Sequence, residues 1–400
     1  MEKQKPVTHL SFEDTEVAFK HLSDTELRKS YWLFKAISNW LLARVGPFFA
    51  KTAIFLGLPI SGLIKATLFK QFCGGETIND CTPVILRLFA NGVGTILDYS
   101  VEGGNNEKAF DHTAEQILNS IKKAVEMPDA IPFCVFKVTG LARFSLLEKV
   151  VNGSKLEDFE EVEWQKAVGR IDLICKTGSE LYQPVMIDAE ESWIQDAIDE
   201  VAISMMKKYN QQRPIVFNTY QLYRTDKLNS LISDLTIAKT HKFILGAKLV
   251  RGAYMDKERK RAKDLGCPSP IHPNKQTTDR DFNAAVSFCL DNIESLSFIV
   301  ASHNEHSCKV LVEKMEQLQI FSKHTHIYFA QLLGMSDRIT FNLAKHQFNV
   351  AKYVPYGPLK SVFPYLLRRA EENSAITGQM GRELELINRE LKRRKGLVSF

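Results

Sequence analysis

Tyr365, Arg368, Arg369 and Glu372 fall at i, i+3, i+4 and i+7, the spacing that puts side chains on one face of a helix. Two guanidiniums, a phenol and a carboxylate on one face form a fork for a small carboxylate ligand, because each guanidinium offers paired N–H donors in a plane. The same spacing suits a solvated charged face with an i,i+4 Arg368–Glu372 pair, and taken alone this helix favours that blander reading. Pro358 and Pro364 each fit a first helical turn, where a missing N–H is tolerated. Leu366, Leu367 and Ala370 lie off the polar face and can pack.

Other polar residues recur at the ends of apolar runs and shift the balance toward a site. They are Glu102, Lys137, Asp188 with Glu190 and Glu191, Asn218 with Gln221, and Lys248 with Arg251 and Tyr254. His303 with Asn304, Gln331 and Tyr353 complete the set. Charges and amides in apolar strands are costly to bury unless they are paired or used. One such residue means little, since a buried Lys–Asp pair can be structural; the recurrence points to a polar pocket. A Schiff-base lysine at Lys137 or Lys248 stays open on this evidence. Metal chemistry finds less support, because His303 with His306 and His324 with His326 have no third ligand at a convincing spacing. The HExxH, GxSxG and Walker A patterns do not occur.

The elements that must position these residues follow from the runs themselves. Runs at 94–102, 132–140, 184–192, 214–221, 246–254, 297–304, 326–334 and 350–357 alternate with helical patterns such as 105–126, 193–210 and 282–295. Buried parallel strands alternating with helices make an α/β fold. Eight such repeats predict a (β/α)8 barrel, TIM-like, whose chemistry sits at the C-terminal strand ends. An open doubly wound sheet is the runner-up. Its dinucleotide fingerprint is missing, because Asn91-Gly-Val-Gly94 lacks the third glycine and precedes a strand. Residues 1–90 read as a helical arm, with a capping box at Ser23–Glu26, and residues 91–400 as the catalytic barrel, closed by the C-terminal helix that carries the fork.

Composition narrows the function classes. Four hundred residues with 44% hydrophobic content can bury a large core, and a net charge of +5 spread along the chain leaves no nucleic-acid footprint. Seven cysteines without a CxxC pair favour reduced thiols over a disulfide framework. The first residues carry acids and no apolar h-region, so neither a secretory signal nor a transit peptide is expected. Thr52–Ile64 is an apolar run of thirteen residues, too short to span a bilayer. Buried packing is the favoured reading for it, and peripheral membrane contact the alternative.

The segments LVRGAYMDKER (249–259), MIDAEESW (186–193), VASHNEH (300–306), FAQLLGM (329–335), KYVPYGP (352–358) and YLLRRAEEN (365–373) resemble proline dehydrogenase, over about residues 90–380. The stand-alone, mitochondrial-type form is nearer than the domain of the bifunctional bacterial enzyme. The resemblance implies a distorted (β/α)8 barrel with non-covalent FAD. It implies oxidation of L-proline to Δ1-pyrroline-5-carboxylate, with electrons passed to a quinone of a membrane chain. Arg368 and Arg369 then match the carboxylate clamp, assisted by Lys137, and Asp188 holds the polar network. Tyr353 and Tyr365 wall the proline ring with Leu332, Ala253 and Tyr254, while Glu102 pairs with Arg368 and gates the pocket. On the flavin side the resemblance brings Lys248, Val250, Gly252, Thr278, His303, Asn304 and Glu372. A family glutamine aligns with Asn218, although Gln221 lies slightly further on, and Lys248 stands where the bifunctional enzymes have arginine. Tyr353 favours proline over hydroxyproline, the alternative substrate, and a non-flavin carboxylate-binding barrel is the alternative outside oxidoreductases. The compartment expected is a bacterial cytoplasm, peripheral at the inner membrane, or the mitochondrial inner membrane or matrix.

Overall fold

A computed structural model describes residues 10–37, 61–101, 104, 106–375 and 379–396. Its centre is a closed barrel of parallel strands in sequence order, from β1 to β8. The strands are β1 (Gly94–Tyr99), β2 (Phe133–Phe136), β3 (Val185–Ile187), β4 (Val216–Gln221), β5 (Leu245–Val250), β6 (Leu296–Ala301), β7 (Ile327–Leu332) and β8 (Val350–Tyr356). Six lie within the predicted runs, and β5 and β6 each begin one residue before theirs. Closure comes from β1 pairing with β8, in register from Gly94 opposite Ala351 to Tyr99 opposite Tyr356. The (β/α)8 expectation therefore holds, and the open sheet does not.

Strand alternation sorts the core into two layers. Ile96, Phe133, Val135, Met186, Phe217, Ile299, Ala351 and Tyr353 fill the barrel interior. The intervening residues, such as Leu97, Cys134, Val216, Tyr220, Leu245, Ala247, Phe329 and Val354, pack outward against helices. Predicted helices 105–126 and 193–210 appear as Glu107–Glu126 and Ser192–Tyr209. The third begins earlier than read, at Lys275, because Asn274 caps it by accepting from Thr277 N.

A second apolar cluster sits at one end of the barrel, behind the helix Leu359–Ala375. It joins Phe19, Leu27 and Phe34 to Val362, Phe363, Leu366 and Leu367, and to Leu386 and Ile387 of the helix Gln379–Arg394. Arg394 ties the helix Gln379–Arg394 to residues 19–24, donating to the carbonyls of Phe19 (2.8 Å) and Leu22 (2.9 Å) and to Asp24 (2.8 Å). The capping box at Ser23 forms, with Ser23 N donating to Glu26 at 3.0 Å and Glu26 N to Ser23 Oγ at 3.3 Å. Pro364 departs from expectation: it lies inside Leu359–Ala375 rather than in a first turn. Burial of Val362, Phe363, Leu366 and Leu367 outweighs the backbone hydrogen bond that a proline forgoes there. Of the run Thr52–Ile64, residues 52–60 lie outside the described residues, while Ile64 is buried. Among the described residues no helix is long and apolar enough to cross a membrane.

Candidate active site

The inner-face parity that places Val135, Met186, Phe217 and Tyr353 in the barrel carries on to the strand ends. It sends Lys137, Asp188, Gln221 and Lys248 toward the C-terminal mouth. Asp188 is the hub: Lys137 Nζ lies 3.3 Å from Oδ2, Tyr353 donates its hydroxyl to Oδ2 at 2.7 Å, and Lys248 Nζ bonds Oδ1. Burial opposes ionisation of Asp188, but the nearby Lys248 and Lys137 ammoniums, with hydrogen bonds from Lys248 and Tyr353, pull its pKa down to about 2. Lys248 also lies over the Tyr353 ring, 5.2 Å from its centroid.

A cavity of about 610 Å³ opens beside this hub, and Lys137, Thr139, Glu190, Trp193, Tyr254 and Arg368 line it. Arg368 thus comes from the closing helix to the same space as Lys137 from the end of β2. Arg369 is buried, with its guanidinium 5.2 Å from the centroid of the Tyr365 ring. Leu332, at the end of β7, packs on both the interior and the end clusters. Ala253 is exposed on the loop after β5. Glu102 lies outside the described residues, and the side chain of Glu372 is not among those described.

Among the residues expected to contact a cofactor, Val250 ends β5 and Gly252 follows with φ +137°. A Cβ there would lie 2.4 Å from the Tyr223 ring, so only glycine lets the chain pass this close. Buried Thr278 returns its hydroxyl to Asn274 O at 3.3 Å. His303 Nδ1 meets Ser336 Oγ at 2.9 Å. Burial, with the cations Lys352, Arg369 and Arg251 nearby, lowers the His303 pKa to about 3, so the ring is neutral at physiological pH. Lysine, glutamine and neutral imidazole on one mouth match the acceptor-rich ring and phosphates of a flavin dinucleotide, so the residues present fit that group.

Two of the expected cofactor contacts are placed elsewhere. Asn218 points out of the barrel and donates to Asp199 Oδ1 at 2.8 Å, because it shares the outward parity of Val216 and Tyr220. Gln221, three residues on, faces the mouth and donates to the Glu190 carbonyl at 2.7 Å. Asn304 caps the helix Glu305–Gln317 by accepting from Ser307 N at 3.1 Å. Gln331, read as a strand-end polar residue, also faces outward, bonded to Ser302 and Thr340.

Asp98 was missed by the reading of strand ends. It is fully buried on the inner face of β1, with Ser100 donating to it. Burial and the neighbouring Asp188 raise its pKa, while Lys137 and Lys248 pull the other way. The signal was present: an acid at inner-face spacing from Ile96 inside an apolar run.

The family model described as proline dehydrogenase matches residues 81–382. A Dictyostelium discoideum protein named proline dehydrogenase 1, mitochondrial, is 34% identical over 430 positions, covering 95% of this chain and 74% of its own length. The Homo sapiens protein of the same name is 37% identical over 244 positions, covering 60% of this chain and 41% of itself. Among solved structures, proline utilization A from Bdellovibrio bacteriovorus superposes with a TM-score of 0.72 at 19% identity. That match covers 97% of this chain and 42% of the other, and it supports the fold.

Proposed function

The chain belongs to the proline dehydrogenase family, and from that premise we propose that it oxidises L-proline to Δ1-pyrroline-5-carboxylate with FAD, delivering the electrons to a quinone. The observation that carries this reading is the convergence of Arg368 and Lys137 on one cavity beside the Asp188 hub. A carboxylate bound there meets cations from two elements distant in sequence. Arg369, under Tyr365, extends the clamp.

FAD, when bound, supplies the hydride acceptor for the C5–H bond of proline. Lys248, Gln221, Val250, Gly252, Thr278 and His303 are the residues that would hold it. Arg368, Arg369 and Lys137 fix the carboxylate, and Tyr353, Tyr365, Leu332, Tyr254 and Ala253 enclose the ring. Fixing the carboxylate and the ring leaves one approach to C5, so much of the barrier is met by orientation. Asp188 stays ionised and directs both Lys137 and Lys248 through its two oxygens. Both amines donate to that carboxylate, which weighs against either acting as a Schiff-base nucleophile. Tyr353 fills the wall where a ring hydroxyl would need space, so proline is favoured over hydroxyproline.

The test is an absorbance spectrum of the purified holoprotein, repeated anaerobically with L-proline. Flavin bands that bleach with proline support the reading. Bands that respond only to hydroxyproline would move the substrate, and a protein that stays colourless with added FAD would sink the flavoenzyme.

A further inference from the structure

Glu190 lies on the loop after β3, is 3% exposed, and lines the cavity with Lys137 and Arg368. Both its carboxylate oxygens are spent on one residue. Thr139 N donates to Oε1 at 3.0 Å, and the Thr139 hydroxyl donates to Oε2. Thr139 sits in the short turn Val138–Gly140, which begins immediately after Lys137. A bidentate hold on the N–H and O–H of one residue removes the freedom of that turn to rotate.

The backbone of Glu190 is fixed from the other side. Its N–H donates to Gln195 Oε1 at 2.7 Å, and its carbonyl accepts from Gln221 Nε2 at 2.7 Å. Gln195 in turn donates to Asp199, which also accepts from Lys227 at 2.7 Å. One residue therefore joins the exit of β2, where Lys137 leaves the barrel, to the end of β4, where Gln221 faces the cofactor side. Burying a carboxylate for this purpose is costly, since a neutral amide or hydroxyl would cap a turn with less desolvation. Burial pushes the Glu190 carboxyl up to about 7 despite the Thr139 bonds and the Lys137 charge. A residue kept at that cost on a cavity wall fits a task at the cavity.

We propose that Glu190 is a positioning residue for substrate recognition: through Thr139 it sets the direction in which Lys137 meets the substrate carboxylate, and through Gln221 it links that setting to the cofactor side. The inference rests on the carboxylate clamp of the proposed function. It assigns no bond from Glu190 to substrate, and its effect passes through Lys137.

The experiment is calorimetric binding of cyclopentanecarboxylate, an amine-free ring carboxylate, to the holoenzyme, alongside KM and kcat for L-proline. Glu190→Gln and Thr139→Val are each made in the native and the Lys137→Met background. In the native background each should weaken carboxylate binding about tenfold, and KM should rise by more than kcat falls. In the Lys137→Met background neither should weaken it further, because the residue they act through is gone. Equal losses in both backgrounds, or no loss in either, would overturn the assignment. Thr139→Val keeps the acid in place and serves if Glu190→Gln fails to fold. Failure of the native holoenzyme to bind the carboxylate would instead remove the clamp itself, and this inference with it.

Discussion

Tyr353 on β8 donates its hydroxyl to Asp188 Oδ2 at 2.7 Å, and so ties the last strand to the loop after the third across the barrel mouth. In the proposed function the phenol has two duties, orienting the acid and filling the ring wall, and they separate by substitution. Tyr353→Phe removes only the bond and should lower kcat/KM for proline roughly tenfold, the scale of one hydrogen bond to a charged group. Tyr353→Ser also removes the wall and should shift the ratio of kcat/KM values toward hydroxyproline. An unchanged substrate ratio in Tyr353→Ser would remove Tyr353 from specificity.

Arg368 faces the cavity from the closing helix, whereas most of the expected flavin contacts lie on β4, β5, the helix Lys275–Asp291 and the end of β6, Glu372 alone sharing its helix. Arg368→Met should raise KM for L-proline roughly tenfold or more, with FAD retained at native stoichiometry. Steady-state kinetics and the ratio of flavin to protein absorbance measure both. Released flavin in this variant contradicts the role assigned.

The two carboxyls of the β3 loop should titrate stability in opposite directions. Asp188 goes from 3.8 unfolded to about 2 folded, so its stabilising contribution is complete above pH 3.8 and is lost as pH falls toward 2. Glu190 goes from 4.5 to about 7, so stability is lost as pH rises from 4.5 through 7. Thermal melts across pH should therefore show Asp188→Asn flattening the acid limb and Glu190→Gln flattening the decline toward neutrality. A native-like acid limb in Asp188→Asn would mean that other acids dominate it.

Gly252 has φ +137° and no room for a Cβ beside Tyr223. Gly252→Ala should destabilise by about 1–3 kcal/mol for the backbone strain alone. It should also weaken FAD retention, because the strain falls on the loop leaving β5. Melting temperature with and without added FAD reads both effects, and an unchanged melt would show that Tyr223 yields at little cost.

Much of the barrel was legible because parallel strands buried on both faces read as apolar runs stopped by polar residues. Which of those polar residues face inward was less legible. Side-chain direction alternates with every residue, so the choice between Asn218 and Gln221 depends on where β4 starts, and a one-residue error reverses the face. Gln331 was misread in the same way. Asp98 is less legible because it lies inside β1 and not at the strand end where the other polar residues recur. Pro364 misled the helix start because local propensity yielded to packing of its neighbours. Spacing put Tyr365, Arg368 and Arg369 on one helix face but taken alone favoured a solvated charged face, and only the fold brings Lys137 and Arg368 to one cavity.

The bonds from Arg394 to Phe19 and Leu22 span 375 and 372 residues. During synthesis at roughly 5–20 residues per second, the early helices wait on the order of 20–75 s for that partner. Until then Phe19, Leu27 and Phe34 have no Leu386 or Ile387 to pack against, and the ribosome releases the helix bearing Arg368 only shortly before its support is complete. The proposed clamp therefore gains its support only after residues 379–394 are made, and a released chain truncated before residue 379 would lack it.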